Sequence, residues 1–204
     1  MSALKWMETV KRIVFKNVRI FDGTGSDLFN GEVLVEGDRI TQVSHRPDGL
    51  FAKKDPKISE EGAEVIDGNG AILMPGMVEA HAHITWPSST ERFVPEFILP
   101  IEEMMIVTAQ NARILLDSGF TSAYSAGALS ERIEVVIRDN INKGYLPGPR
   151  LRACTLERSP EEDESKPGAV NHGRGPEAMR AFVKKCKALG MDQIKLALSG
   201  EDAI

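Results

Sequence analysis

From Ile13 onward, short apolar runs alternate with polar turns at the period of two that marks strands. Ile13-Val14-Phe15-Lys16-Asn17-Val18-Arg19-Ile20 predicts a first strand, closed by the turn Asp22-Gly23-Thr24-Gly25. Glu32 to Glu36 predicts a second, Gly37-Asp38 turns it into Arg39 to Val43, and Ala63 to Ile66 adds another. Residues 47–62 are polar and lysine-rich and read as an excursion loop; residues 1–12 read as a short tail or capping helix. After Pro75-Gly76, Val78, Ala80, Ala82 and Ile84 alternate with Met77, Glu79, His81 and His83, again a strand. The period then lengthens. Met104, Val107, Ala112, Leu115 and Leu116 fall near one face of a helix over Ile101 to Gly119, with Gly119 placed to stop it.

Phe120 to Tyr124 predicts the next strand. Leu129, Ile133, Val136, Ile137 and Ile141 mark a second helix, ended by Gly144, and Arg150 to Cys154 a further strand. A third helix carries Met179, Phe182, Val183, Cys186 and Leu189 and stops at Gly190; Asp192 to Gly200 is a final strand. Two longer connections separate these elements. Thr85 to Pro100 holds Trp86, Pro87, Phe93 and Phe97, which suit either an apolar pocket wall or a packed lid. Thr155 to Gly175 is long, charged and rich in Gly and Pro, as expected of an active-site loop.

Candidate chemistry begins with two histidines on one strand. Alternate strand side chains share a face and stand roughly 6.6 Å apart along the strand. His81 and His83 therefore present two imidazoles side by side, able to bite one metal ion. Lys195 is the second unusual residue, a lysine inside an apolar strand. It either snorkels or pairs with a carboxylate, or burial depresses its pKa and frees a nucleophilic amine. The remaining candidates read more plainly: His45 lies in a surface turn, and Cys154 and Cys186 lack the spacing of a zinc knuckle or redox pair.

The run from Val65 to His83, with its apolar strand after a Pro-Gly turn and its His-x-His, resembles the first barrel strand of the amidohydrolase superfamily. Asp192-Gln193-Ile194-Lys195-Leu196-Ala197-Leu198-Ser199-Gly200 is similar to the fourth-strand motif of its imidazolonepropionase-like and prolidase-like members. The resemblance implies an α/β fold: a small β-sandwich over residues 1–70, then the first half of a (β/α)8 TIM-type barrel over residues 71–204. It implies that His81 and His83 hold the first metal, and that Lys195, carbamylated, bridges to a second. One or two divalent ions are expected as cofactor, zinc foremost. Asn171-His172-Gly173 matches a loop histidine near the substrate in relatives, so His172 is a substrate-binding candidate, with an ordinary surface histidine as the alternative. Two departures stand out. Glu79 replaces a common Asp and leaves the histidines untouched, whereas Tyr124 and Ser125 replace a common Arg-Asp pair and bear on substrate preference.

In that family a metal-activated water attacks a C–N or ester bond of a small molecule. Two further histidines and a general-base aspartate come from later strands, which this sequence does not contain. Four barrel strands are half of the eight that close such a barrel, and a complete one takes about 250 residues. The sequence thus reads as the N-terminal piece of a longer enzyme, or one chain of a split pair, completed by a C-terminal half or a second polypeptide. The alternatives are a non-catalytic partner subunit that associates through open strand edges, and a metal-dependent decarboxylase or dehydratase on the same scaffold.

Bulk properties narrow the partners. A formal net charge of −5 gives no basic footprint for nucleic acid, and Glu161-Glu162-Asp163-Glu164 reads as a solvated loop. There is no signal-peptide pattern and no long apolar span, so the expected setting is cytoplasmic, away from membranes, with homo-oligomerisation expected.

Overall fold

β1 (Arg12–Ile20) is the central strand of the first sheet in the computed structural model, which describes residues 12–49, 51, 53–87, 99–156 and 175–196. It pairs antiparallel with β2 (Phe29–Glu36), and β2 pairs antiparallel with β3 (Arg39–His45). On its other side β1 runs parallel to β4 (Glu64–Asp67) and β5 (Ile72–Leu73). The β1–β2 register slips between Phe15 and Val18, where Asn17 adopts φ +52°. Asparagine tolerates this left-handed conformation, and its side-chain amide donates to both carboxylate oxygens of Asp67 at 3.0 and 2.9 Å.

Val14 and Leu34 form one buried cluster of this unit with Ile58; Val18, Ile20 and Val33 form another. Ile58 is the surprise, because it comes from the polar excursion segment. Two hydrogen bonds fold that segment back: the Ile58 N–H donates to the Glu32 carboxylate at 2.9 Å, and Ser44 Oγ donates to the Pro56 carbonyl at 2.7 Å. The apolar residues of that segment, Leu50, Phe51, Ala52 and Ile58, leave no period to read. His45 is exposed, as expected, with its ring edge-on to Phe29.

The chain divides after Pro75 into two compact units. In the second, β6 (Met77–Ala82), β7 (Phe120–Ser125) and β8 (Arg150–Arg152) form a parallel sheet in that order. Parallel strands need a crossover of a dozen or more residues. α1 (Ile101–Asp117) lies in the β6–β7 connection, and α2 (Ile133–Asn142) in the β7–β8 connection. α3 (Gly175–Ala188) follows β8. Gly119, Gly144 and Gly190, the three predicted helix stops, stand at φ +90°, +74° and +86°, the left-handed cap that glycine adopts without strain.

The core of this unit joins Ala82, Ala123 and Leu151 of the strands to Met104 and Ala112 of α1 and Ile133 and Ile137 of α2. The strand alanines let the helices sit close to the sheet. On α1 the buried positions are Met104, Thr108 and Ala112, spaced four apart. The predicted stripe omitted Thr108 because threonine is polar, yet its hydroxyl donates to the Met104 carbonyl at 2.7 Å and so enters the core satisfied. On α3, Phe182 and Cys186 are buried while Val183, expected on the same face, is exposed. The predicted fourth strand is not seen as a ladder among the described residues: residues 192–196 are joined to the end of β8 by Asp192 and Gln193 N–H bonds to the Ala153 carbonyl, and residues 197–200 lie outside them. No helix among the described residues is long and apolar enough to cross a membrane.

One ionisable group lies inside this core. Glu134, in the first turn of α2, is 1% exposed. Burial pushes its carboxyl from the ordinary 4.5 up to about 7, against the opposing pull of hydrogen bonds from the Cys154 N–H and the Ser125 hydroxyl. Below about pH 4.5 folded and unfolded chains both carry this proton, and above about pH 7 neither does. Between those limits only the folded chain holds it, so stability falls as pH rises. At 1.36 kcal/mol per unit the loss is at most about 3 kcal/mol. Urea unfolding at pH 5 and pH 8 should show a smaller loss for Glu134→Gln than for wild type. A second expectation concerns Gly76, where an added Cβ would lie 2.1 Å from Thr121 Oγ1. Gly76→Ala should cost about 1–3 kcal/mol by overpacking, read as a lower denaturation midpoint with an unchanged slope.

Candidate functional site

All three strands of the parallel sheet end at one edge, and His81 and His83 lie there. The Ala126 N–H donates to the Ala82 carbonyl at 2.7 Å, locking the end of β7 against the end of β6. At that point the histidine rings lie 5.2 Å apart between centroids, inclined at 68°. Two imidazoles on one tetrahedral zinc, with Zn–N near 2.1 Å, would place their centroids about 5.4 Å apart. The spacing of the rings is the spacing that a shared divalent ion requires.

His83 is held more closely than His81. Its ring stacks on Trp86 at 4.2 Å and 29°, and its Nδ1 lies 3.1 Å from the Gly127 carbonyl. A carbonyl only accepts, so Nδ1 carries the proton and Nε2 the lone pair. Ligating histidines commonly show this arrangement, their second nitrogen donating to a fixed acceptor. His81 is exposed, and its backbone N–H donates to the Glu79 carboxylate at 3.0 Å. Glu79 thus has a local backbone partner at the position where relatives carry Asp.

The turn after His83 is fixed from the helix side. Asn111 of α1 donates through Nδ2 to the carbonyls of Ile84 and Trp86, both at 2.9 Å. Thr85 is fully buried, and its hydroxyl accepts the Leu129 N–H at 3.0 Å. Neither residue was picked out from the sequence. The available signal was polar: Asn111 sits beside the apolar stripe of α1, where a side chain needs a partner.

Lys195 is half-buried, and its backbone N–H donates to Thr155 Oγ1 at 3.2 Å. The Thr155 carbonyl in turn accepts the Ala128 N–H at 2.9 Å, next to the Gly127 that holds His83. Lys195 and His83 thus belong to one connected rim. Three residues before the lysine, Asp192 accepts from Arg138 Nη1 at 2.7 Å and from the Ala153 N–H at 2.9 Å. Burial would raise the Asp192 carboxyl, but Arg138 and the Ala153 N–H hold it below the usual range.

Glu134 closes the rim from beneath. Its Oε1 accepts the Ser125 hydroxyl and its Oε2 the Cys154 N–H, each at 2.9 Å, so one carboxylate joins the ends of β7 and β8. Sequence reading missed it because an acid inside Ile133-Glu134-Val135-Val136-Ile137 was passed over in favour of the apolar period. Cys154 is a buried free thiol, raised by burial, in keeping with the plain reading of that cysteine. His172, Phe93, Phe97 and the acidic run at 161–164 lie outside the described residues. Among the described residues no group of three or more His, Cys, Asp or Glu side chains converges on one point. The histidine pair alone would make only a partial ligand set, and a full centre would need further donors.

No family model matches the chain. It is 25% identical over 157 residues to a dihydroorotase of Pediococcus pentosaceus, covering 74% of this chain and 31% of that protein. It is 35% identical over 72 residues to an adenine deaminase of Gluconobacter oxydans, covering 35% of this chain and 10% of that one. In fold it is similar to a Xaa-Pro dipeptidase with methionine bound in its active site: TM-score 0.75, 21% identity, 93% of this chain and 48% of that one. The chain thus spans about a third of the dihydroorotase and about half of the dipeptidase. Taken with a paired-histidine strand in a parallel α/β sheet, these likenesses are to enzymes of the amidohydrolase superfamily, over part of their length.

Proposed function

We propose that this chain supplies the first-metal half of a hydrolase that cleaves a C–N bond (amide, cyclic amide or peptide-like) or an ester in a small molecule. The observation that carries the reading is the His81–His83 ring pair at the C-terminal edge of a parallel sheet, with His83 Nδ1 anchored on Gly127. That edge is where barrel enzymes of this type keep their chemistry. His81 and His83 would hold a divalent ion, zinc foremost, and Lys195, as a carbamate, would bridge to a second. A bound divalent ion lowers the pKa of water toward neutrality and polarises a scissile carbonyl.

The chain's own residues do the positioning. Trp86 and the Gly127 carbonyl hold the His83 ring, and Thr155 holds the backbone of Lys195. His172 is proposed to contact substrate. The general-base aspartate and two further histidines would come from a C-terminal half or a second polypeptide that closes the barrel. Unfilled apolar surface supports such a completion. Val78 of β6 is 55% exposed, and Ile106 and Ile114 of α1 are 60% and 59% exposed. The order β6-β7-β8 makes β6 an edge of the sheet among the described residues. Exposed apolar residues beside an open strand edge are ordinarily covered by another element.

Elemental analysis of the chain combined with its completing half is expected to find one or two divalent ions per site. His81→Ala and His83→Ala should each remove most of that metal and abolish turnover, and Lys195→Met should lower the metal stoichiometry. An assembled, metal-free wild type would overturn the proposal in favour of a non-catalytic partner subunit.

A further inference from the structure

We propose that Glu134 is a positioning residue for His83, acting through Ser125 and Gly127; the inference rests on the proposed function only in taking His83 as a metal ligand. The connection is continuous and runs one way. His83 Nδ1 donates to the Gly127 carbonyl at 3.1 Å, the Gly127 N–H donates to Ser125 Oγ at 3.3 Å, and the Ser125 hydroxyl donates to Glu134 Oε1 at 2.9 Å. The backbone groups of Gly127 can run only one way, a carbonyl accepting and an N–H donating, and the carboxylate settles the remaining rotor by taking the Ser125 proton, which leaves the Ser125 lone pairs to the Gly127 N–H.

The middle of the chain needs that restraint. Gly127 has φ +135°, a conformation that side chain-bearing residues rarely adopt. Its carbonyl meets the imidazole in that conformation, and three bonds hold it there. They are its own N–H to Ser125 Oγ and the flanking Ala126 and Ala128 N–H bonds to Ala82 and Thr155. Of these, only the Ser125 bond leads to a side chain. Ser125 is 2% exposed and its hydroxyl has a single proton, committed to Glu134. Without that acceptor the hydroxyl can turn its proton toward the Gly127 N–H and oppose the bond it now accepts.

A carboxylate that merely tied α2 to the end of β8 would do so through the Cys154 N–H and would be indifferent to the state of His83. The two roles separate at Ser125, since removing its hydroxyl leaves the Glu134–Cys154 bond intact. The test is long-range 1H–15N correlation spectroscopy of the full chain without added metal, at pH 8, with far-UV circular dichroism to establish folding. Wild-type His83 is expected as a single tautomer with the proton on Nδ1. Ser125→Ala and Glu134→Ala should each convert it to a mixture with the Nε2–H form. Glu134→Gln, which retains an acceptor for the Ser125 hydroxyl, should keep the wild-type pattern. A folded Ser125→Ala chain with an unchanged His83 tautomer overturns the inference, as does wild-type His83 with its proton on Nε2. Should Glu134→Ala fail to fold, Ser125→Ala decides alone. Should Ser125→Ala fail, Ser125→Gly makes the same hydroxyl deletion. A wild-type chain with the expected tautomer that takes up no Zn2+ once completed defeats the proposed function and leaves the positioning role standing.

Discussion

Parallel strands cannot be joined by a tight turn, and most of what this chain does follows from that constraint. Each of β6 and β7 must send the chain back the length of the sheet before the next strand begins, and here the return path contains a helix. α1 and α2 lie against Ala82, Ala123 and Leu151, so two of the three sheet residues of this core are alanines. The same constraint makes every strand end at one edge. His83, Gly127, Thr155 and Lys195 all follow strands or sheet-bonded segments, and all arrive at that rim. Their proximity is a result of topology before it is a result of any single contact.

A rim of this kind buries polar groups, and each must be satisfied. Thr85, Ser125, Glu134 and Thr155 are all 2% exposed or less. Thr85 accepts from Leu129, Ser125 accepts from Gly127 and donates to Glu134, and Thr155 accepts from Lys195. These bonds substitute for ladder hydrogen bonds where the strands stop. They also explain how a half-buried imidazole is kept in one orientation: the residues around it are already committed to one another. Glu134 is the costly member, since it is displaced toward protonation by its surroundings even while it accepts two hydrogen bonds.

Much of this was legible in the sequence where a period or a stop residue carried the information. The alternation through Met77–Ile84 located β6, and Gly119, Gly144 and Gly190 marked helix ends because only glycine takes their φ values easily. The juxtaposed histidine rings were legible for the same reason: alternate residues on a strand share a face. Polar residues that act inside the core were not. Thr108, Asn111 and Glu134 each sit in or beside an apolar stripe, and a period search reads them as interruptions. Ile58 was hidden the opposite way, an apolar residue flanked by polar ones in a segment that returns to the core through bonds to Glu32 and Ser44. Long-range partners such as Ser125 and Glu134, or Asp192 and Arg138, leave no spacing to detect.

The Arg138–Asp192 pair bears on the order in which the site can assemble. Arg138 also donates to the Gly190 carbonyl, and its side chain is only 14% exposed. Together these bonds span more than fifty residues of sequence and moor the segment leading to Lys195 against α2 and the end of β8. The entropy of closing that loop is met by contacts outside the strand ladder. One guanidinium and one carboxylate thus set where the lysine segment lies, so it keeps its place beside β8 independently of any further strand pairing.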